Sequence, residues 1–242
     1  MQLIKFETHD QASEWIADQI ISELTKKPNF VLCMASGDTP SKVCEYLVSK
    51  LKETKTDYSK MFFLGLDEWY GIDPADSGSC AYSFYQRIIN PLSLQSNQYH
   101  FFNALSDDPS AECKKMDDLI EEKGGIDFIL VGVGMNGHIG FNEPGTAFHT
   151  KSHIIELEEI TKNVGQKYFR EAKILERGIT IGLGHLLNSK TAIVQANGMK
   201  KAEIIRRTVN EDIKESLPST VIRKHTNGYL VLDREAAALI EE

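Results

Sequence analysis

The stretch "VGVGMNGHIGFNEPG", residues 131 to 145, holds the residues that most clearly could do chemistry. It sets Asn136, His138 and Glu143 among glycines, directly behind the apolar run "IDFILVGVG", which is typical of a buried parallel strand. Open α/β sheets bind ligands in the loops after such strands, and glycines let a backbone turn tightly and approach a ligand. His138 could be an ordinary packed histidine and Glu143 a surface acid. However, a histidine surrounded by glycines has little packing to satisfy, so the pattern favours a functional loop.

Three further clusters follow strand-like runs. "ASGDTPSK" is a small-residue turn that opens a helix, and the N–H groups and dipole of such a helix could hold a phosphate. In "GLDEWYG", Asp67 and Glu68 are neighbours on an extended segment and point to opposite sides, so we expect one carboxylate to face a site. Lys200 and Lys201 follow "TAIVQANG" at a helix start, where a cation opposes the helix dipole and an anionic ligand explains it better. Each cluster also has an explanation without function: a common glycine turn for the first, a solvated acidic pair for the second and solvated lysines for the third.

Strand-like and helix-like segments alternate along the chain and must position these clusters. "NFVLCMA", "MFFLGLD", "TAIVQAN" and "GYLVLD" read as further strands, and "TPSKVCEYLVSKLKE", "SCAYSFYQRII", "GMKKAEIIRRTV" and "REAAALIEE" as helices. Thr39 is expected to cap the first of these helices, and Pro40 fits its first turn. The alternation predicts an α/β fold, doubly wound and Rossmann-like, with a mainly parallel sheet and helices on both faces. Without a repeat or a linker, residues 1–242 are expected to form a single domain.

Composition and charge exclude several classes of protein. The 242 residues are 41% hydrophobic and 26% charged, which is ordinary for a globular protein. A net charge of -8 argues against nucleic acid or an anionic membrane as a partner. No apolar run approaches the roughly 20 residues that span a bilayer, and "MQLIKFETHD" lacks the apolar core of a signal peptide, so we expect a cytoplasmic protein. The cysteines have no CxxC spacing and are expected to be buried or incidental thiols: Cys33, Cys44, Cys80 and Cys113.

Together, these motifs carry a family resemblance. "SGDTPSK", "LDEWYG" and "GVGMNGHIGFNEPGTAF", in this order, resemble glucosamine-6-phosphate deaminases, sugar-phosphate isomerases that also release ammonia. "HTNGYLVLDREAAAL" is similar to the closing segment of the shorter bacterial members, so the resemblance covers nearly the whole chain. The related 6-phosphogluconolactonases share the sheet and a GxGxDGH-like loop, but are expected to lack the FNEP continuation and the DE(W/Y)xG sequence. The resemblance therefore favours the deaminase branch.

The reaction that this family implies has three steps, each needing an acid or a base. The sugar ring opens, a proton moves from C2 to C1, and the resulting C2 imine is hydrolysed. Asp67 matches the general base for C2 and C1, and His138 matches the ring-opening acid and base. Glu143 matches the carboxylate that orients and polarises this histidine, and Asn136 stands where some members have an aspartate.

The resemblance also implies a site for the 6-phosphate, made by a turn and two lysines: Ser36, Gly37, Asp38, Thr39, Lys167 and Lys201. Asp38 replaces the usual glycine of this turn. A carboxylate within about 5 Å of a phosphate costs on the order of 1 to 3 kcal/mol, so Asp38 must point away, bind a counter-charge or indicate another substrate. Lys167 takes the place of an arginine, keeping the charge but losing the bidentate fork.

The sequence thus predicts conversion of glucosamine 6-phosphate to fructose 6-phosphate and ammonia, without a metal or cofactor. By this chemistry the chain is expected to be both a hydrolase and an isomerase of amino-sugar metabolism. Galactosamine 6-phosphate is the nearest alternative substrate, since the two sugars differ only at C4. A 6-phosphogluconolactonase and a sugar-phosphate-binding regulator without turnover are further alternatives. A monomer and a homo-oligomer are both compatible with the sequence.

Overall fold

A computed structural model describes residues 1–240, and its main feature is a seven-stranded sheet. Its strands are β1 (Gln2–Phe6), β2 (Val31–Met34), β3 (Phe62–Gly65), β5 (Tyr99–His100), β6 (Phe128–Gly132), β9 (Thr191–Ala196) and β10 (Gly228–Asp233). All neighbouring strands are parallel, and they lie in the order β1-β10-β9-β6-β2-β3-β5. Their helical connections make the fold α/β, as predicted.

Helices cover both faces of this sheet. They are α1 (His9–Lys26), α2 (Asp38–Thr54), α3 (Cys80–Phe84), α4 (Asn90–Leu92), α5 (Pro109–Glu122), α6 (Glu159–Gly165), α7 (Leu183–Asn188) and α8 (Ala202–Asn210). A π-helical turn, Tyr85–Ile89, joins α3 to α4. Alternate side chains of β2 enter different cores: Leu32 and Met34 pack with α1 and α2, whereas Val31 and Cys33 pack with α5, α7 and α8. The predicted doubly wound arrangement is therefore confirmed.

A second, three-stranded sheet is antiparallel and lies in the order β4-β8-β7. Its strands are β4 (Asp67–Trp69), β7 (His153–Glu156) and β8 (Arg177–Thr180). β4 begins two residues after β3 ends, so the chain passes from the main sheet into this one at Asp67. A separate apolar cluster, including Trp69, Phe141 and Phe169, packs beside it. The small sheet thus joins the rim of the main sheet to the loop after β6.

Two local predictions were wrong. The segment "REAAALIEE" is not a helix: residues 234–239 form consecutive turns, and its last two residues lie outside the described part of the chain. The carboxylate of Asp233 accepts the Ala236 N–H at 2.8 Å and Ala237 bonds the carbonyl four residues back, as at a helix start, but Ala238 and Ile240 bond carbonyls three residues back, so the segment continues as turns. Thr39 is not the cap of α2, because Gly37 takes that position and Thr39 lies in the first turn of the helix.

Two other local predictions were confirmed. Pro40 lies in the first turn of α2, and all four cysteines are buried and free. Within residues 1–240, none of the helices combines the length and the apolar character needed to cross a bilayer.

Candidate active site

The candidate residues gather at one rim of the main sheet. Because β9, β6, β2 and β3 are adjacent and parallel, their carboxyl ends meet at the same edge. The turn at 36–39 follows β2, Asp67 follows β3, the 134–145 loop follows β6, and Lys201 follows β9. All four predicted clusters therefore open on one side of the molecule.

Asp67 and Glu68 point in opposite directions, as β4 geometry requires. Glu68 is buried, and its carboxylate accepts three backbone N–H groups and the Ser79 hydroxyl at 2.8–3.0 Å. Two of those N–H groups belong to the first turn of α3, so Glu68 fixes the start of that helix. Asp67 is left half-buried on the other side of the strand. The acidic pair thus divides into a structural carboxylate and a candidate base.

Asp67 faces the 134–145 loop in an environment that favours its neutral form. A Cβ built at Gly140 would lie 3.2 Å from Oδ2 of Asp67 and 2.8 Å from Leu66, so the carboxylate packs against bare backbone. Burial raises the pKa of Asp67 to about 7; the Glu68 charge acts in the same direction, and a hydrogen bond with Cys80 opposes both. At neutral pH the group can therefore both accept and return a proton.

Glycines in the 134–145 loop make room for His138. A Cβ at Gly134 would lie 2.2 Å from Nε2 of His138, so the imidazole rests directly on the backbone. The Gly134 N–H donates to the His138 carbonyl at 2.9 Å, which closes the loop on itself. Gly140 has a φ of 57°, a left-handed conformation that favours glycine. Glycine is required here for close approach and for turning, as the sequence predicted.

His138 and Glu143 form a polar pair inside this loop. Nδ1 of His138 lies 3.4 Å from Oε2 of Glu143, and the exposed fractions of the two side chains are 20% and 3%. Burial raises the pKa of Glu143, but the hydrogen bond and charge of His138, with smaller contributions from Thr161 and Asn136, outweigh it and hold the pKa below its usual range. Glu143 is therefore an ionised partner that can orient the imidazole and stabilise its protonated form.

Asn136 hydrogen-bonds to both members of this pair. Its Nδ2 donates to Glu143 at 2.8 Å and to Glu158 at 2.7 Å, while its Oδ1 accepts the His138 backbone N–H at 3.1 Å. These three bonds suit an amide, because an aspartate in the same place would face two other carboxylates. Asparagine at position 136 is thus consistent with its neighbours.

Thr161 is a candidate residue that the sequence did not reveal. Its Oγ1 lies 3.2 Å from Nδ1 of His138, on the same nitrogen that approaches Glu143. It is carried by α6, and the only available signal was its position six residues before Lys167 in one segment. The segment 158–168 therefore reaches both the histidine and the predicted phosphate site.

The turn at 36–39 meets this segment at its other end. Nζ of Lys167 lies 2.5 Å from Oδ2 of Asp38, and a Cβ at Gly37 would be 3.7 Å from the Tyr168 hydroxyl. Thr39 Oγ1 donates to Asn197 at 2.6 Å, which ties α2 to the loop after β9. Of the options open to Asp38, the structure thus has it bind a counter-charge.

Lys201, and not the exposed Lys200, turns inward from the loop after β9. Its Nζ donates to the Val133 carbonyl at 2.7 Å, immediately before the 134–145 loop. Burial and the Lys167 charge, opposed by the Asp38 carboxylate, together lower the pKa of Lys201 to about 8. The two lysines and Asp38 therefore share one electrostatic environment.

The fold and this rim define an α/β protein that gathers Asp67, the His138–Glu143 pair and two lysines at one candidate site. The family described as "Glucosamine-6-phosphate isomerases/6-phosphogluconolactonase" matches residues 5–232, and the chain belongs to this family.

Two relatives and one solved structure illustrate the similarity. The glucosamine-6-phosphate deaminase of Thermoanaerobacter pseudethanolicus is 33% identical over all of this chain and 96% of its own length. The glucosamine-6-phosphate deaminase of Geobacillus sp. is also 33% identical, over all of this chain and 97% of its own length. A solved structure described as a monomeric glucosamine-6-phosphate deaminase superposes with a TM-score of 0.95 at 29% identity, over 99% of this chain and all of that one.

The comparisons correct one prediction. The expectation that the chain is a hydrolase was wrong, because its relatives are named deaminases and the matching solved structure is a deaminase. The family description names isomerases, which agrees with the isomerase part of the prediction.

Proposed function

We propose that this protein converts glucosamine 6-phosphate and water to fructose 6-phosphate and ammonia, as an aldose-ketose isomerase and deaminase. Membership of the family and two full-length relatives named glucosamine-6-phosphate deaminase support this proposal. We also propose that residues 1–242 act as one domain, because the four predicted clusters open on one edge of the seven-stranded sheet and the segment 158–168 contacts two of them.

In the first step, His138 moves protons between the ring oxygen and the C1 hydroxyl as the sugar opens. Glu143 holds the imidazole by its Nδ1 and stabilises the cationic form that appears during the transfer. Asn136 and Thr161 fix the positions of Glu143 and His138. Nε2 rests on Gly134 and is the nitrogen left free of Glu143 to meet the substrate.

In the second step, Asp67 removes the proton from C2 of the open chain and delivers it to C1. A carboxylate is suited to this transfer if it lies within hydrogen-bond reach of both carbons. The single observation that carries the proposal is the half-buried Asp67, whose pKa near 7 lets it accept and release a proton without a large barrier. The C2 imine that results adds water and loses ammonia.

The 6-phosphate is proposed to bind at the opposite end of the site, to the turn 36–39 with Lys167 and Lys201. The N–H groups at the start of α2 and the dipole of this 17-residue helix favour an anion there. The Ser36 hydroxyl and the two lysines add donors, and the Thr39 hydroxyl, which donates to Asn197, holds the turn in place. Asp38 must then share Lys167 with the substrate.

A substrate panel tests the proposal. Glucosamine, galactosamine and gluconolactone 6-phosphates are each incubated with the protein, and ammonia, ketose phosphate and acid are measured separately. We expect stoichiometric ammonia and fructose 6-phosphate from glucosamine 6-phosphate. Turnover of galactosamine 6-phosphate alone would reassign the substrate. Acid from the lactone without ammonia from either amino sugar would replace the deaminase with a lactonase, and no product at all would favour a binding protein.

A further inference from the structure

Arg87 is a half-buried arginine that lies beside the phosphate turn and has no part in the steps above. It is carried by the π-helical turn Tyr85–Ile89 between α3 and α4. Its Nη1 donates to the Ser36 carbonyl at 3.2 Å and to the Ser83 hydroxyl at 2.9 Å. π-helical turns are rare and often occur at functional sites, so the position of this arginine calls for an explanation.

The contact with Ser36 fixes the orientation of one peptide unit. The bond between Ser36 and Gly37 is trans and planar, so the Ser36 carbonyl and the Gly37 N–H point in opposite directions. A guanidinium that holds the carbonyl on one side therefore aims the N–H to the other side. Within residues 1–240 this N–H has no protein acceptor, as expected for the group that precedes the first turn of α2.

We propose that Arg87 is a positioning residue for the substrate phosphate: it grips the Ser36 carbonyl and thereby presents the Gly37 N–H to the phosphate. This inference rests on the proposed function, because it assigns the phosphate to the turn at 36–39. Arg87 acts through the peptide and does not touch the substrate. Its positive charge adds a weaker, through-space attraction for the same anion.

Three arginine variants separate this role from a merely structural one. Arg87→Met removes the donor, Arg87→Lys keeps a cation with a shorter reach, and Arg223→Met is the matched control. Arg223 is also half-buried and donates through Nη1 to a backbone carbonyl, that of Glu211, and it makes no hydrogen bond to a candidate residue in the described chain. The measurements are the Kd of inorganic phosphate by calorimetry, KM and kcat for glucosamine 6-phosphate, and Tm.

We expect Arg87→Met to raise both the phosphate Kd and KM about tenfold, the effect of losing one well-directed hydrogen bond to a charged group, with kcat within about twofold of wild type. The phosphate Kd and KM of Arg87→Lys should lie between those of wild type and Arg87→Met. If Arg87→Met does not fold, Arg87→Lys provides the test. Arg223→Met should lower Tm without changing either constant.

An unchanged phosphate Kd in Arg87→Met, or an equal increase in Arg223→Met, would overturn the inference. The Lys201→Ala variant distinguishes a failure of this inference from a failure of the proposed phosphate site. If Lys201→Ala weakens phosphate binding and Arg87→Met does not, the site is right and the role of Arg87 is wrong. If wild type binds phosphate no better than Lys201→Ala, the phosphate site itself is misplaced and the inference fails with it.

Discussion

Oδ2 of Asp38 lies 2.5 Å from Nζ of Lys167, so the first residue of α2 neutralises a lysine that we assign to the substrate phosphate. Both side chains are well exposed, at 64% and 50%, and an exposed ion pair of this kind contributes only about 0 to 1 kcal/mol. An arriving phosphate can therefore displace the carboxylate or share the lysine with it. The pair sets how much positive charge the substrate meets.

Removing this carboxylate should tighten substrate binding. Asp38→Gly frees Lys167 and removes a negative charge near the phosphate, and we expect a several-fold lower KM with kcat little changed. The phosphate is remote from the reacting carbons and is held alike in the ground and transition states, so its binding affects mainly KM. Because the pair is exposed, added salt should shrink the difference between variant and wild type. Steady-state kinetics at low and high salt provide the measurement.

The control is Asp118→Gly, which removes an equally exposed carboxylate paired with Lys114 on α5 and should leave KM unchanged. A higher KM or lost activity in Asp38→Gly would mean that Asp38 contacts the substrate directly. The turn would then serve a substrate other than glucosamine 6-phosphate.

His138 and Glu143 should behave as one catalytic unit. Their 3.4 Å contact means that either single change removes the oriented, charge-stabilised imidazole, so the second change has little left to remove. We expect His138→Gln and Glu143→Gln each to lower kcat by roughly 10²-fold or more, and the double variant to be hardly worse. Losses that add in log kcat would contradict the coupled arrangement. Glu156→Gln, an exposed carboxylate on β7, is the control and should keep full kcat.

The sequence predicted much of this rim, for a physical reason. A strand buried on both faces must be apolar, and a ligand loop at its end needs polar side chains and glycines, so the junctions at Asp67 and at Gly134 stand out without a structure. Parallel strand order then brings such junctions to one edge. Asp38 could also be singled out, since a carboxylate conflicts with the phosphate binding that we propose for that turn.

What the sequence did not reveal depends on contacts between distant segments. Thr161 reaches His138 only because α6 folds back over the 134–145 loop, and no local pattern marks that approach. The pKa of Asp67 depends on how deeply the carboxylate is buried, which composition does not contain. The C-terminal "REAAALIEE" has good helix formers, and the Asp233 carboxylate accepts the Ala236 N–H as a helix cap would, but Ala238 and Ile240 bond carbonyls three residues back and no α-helix follows.

Asp67→Asn should lower activity and raise stability. Activity falls by roughly 10² to 10⁴-fold because the base for C2 is gone, while ligand binding survives. The variant is more stable than wild type because folding raises the pKa of Asp67 from 3.8 to about 7, and the asparagine carries no charge to bury. The folded state then holds the proton more tightly, so ionised Asp67 destabilises the fold increasingly as pH rises from about 4 to 7, and fully above that.

Chemical denaturation at pH 8 and pH 4 measures this effect. Asp67→Asn should be more stable than wild type by about 1 to 4 kcal/mol at pH 8, and the gain should shrink toward pH 4. Asp117→Asn is a control of opposite sign, since hydrogen bonds from His185 and Ser152 outweigh burial and lower the pKa of Asp117. That variant should be less stable than wild type at pH 8. Near-normal ammonia release by Asp67→Asn would remove Asp67 from the mechanism.

The pH dependence of kcat/KM should be bell-shaped, with its optimum between about 7 and 8. The acidic limb reports Asp67, which must lose its proton to act as a base and has a pKa of about 7. The alkaline limb reports Lys201, which must keep its proton to hold the phosphate and has a pKa of about 8, because burial and the Lys167 charge disfavour its cation. In Lys201→Arg the cation persists at all these pH values, so the alkaline limb should move to higher pH while the acidic limb keeps its position. The substrate's own ionisation is common to both enzymes and cancels in the comparison. An alkaline limb that is identical in wild type and Lys201→Arg would show that another group, and not Lys201, controls binding at high pH.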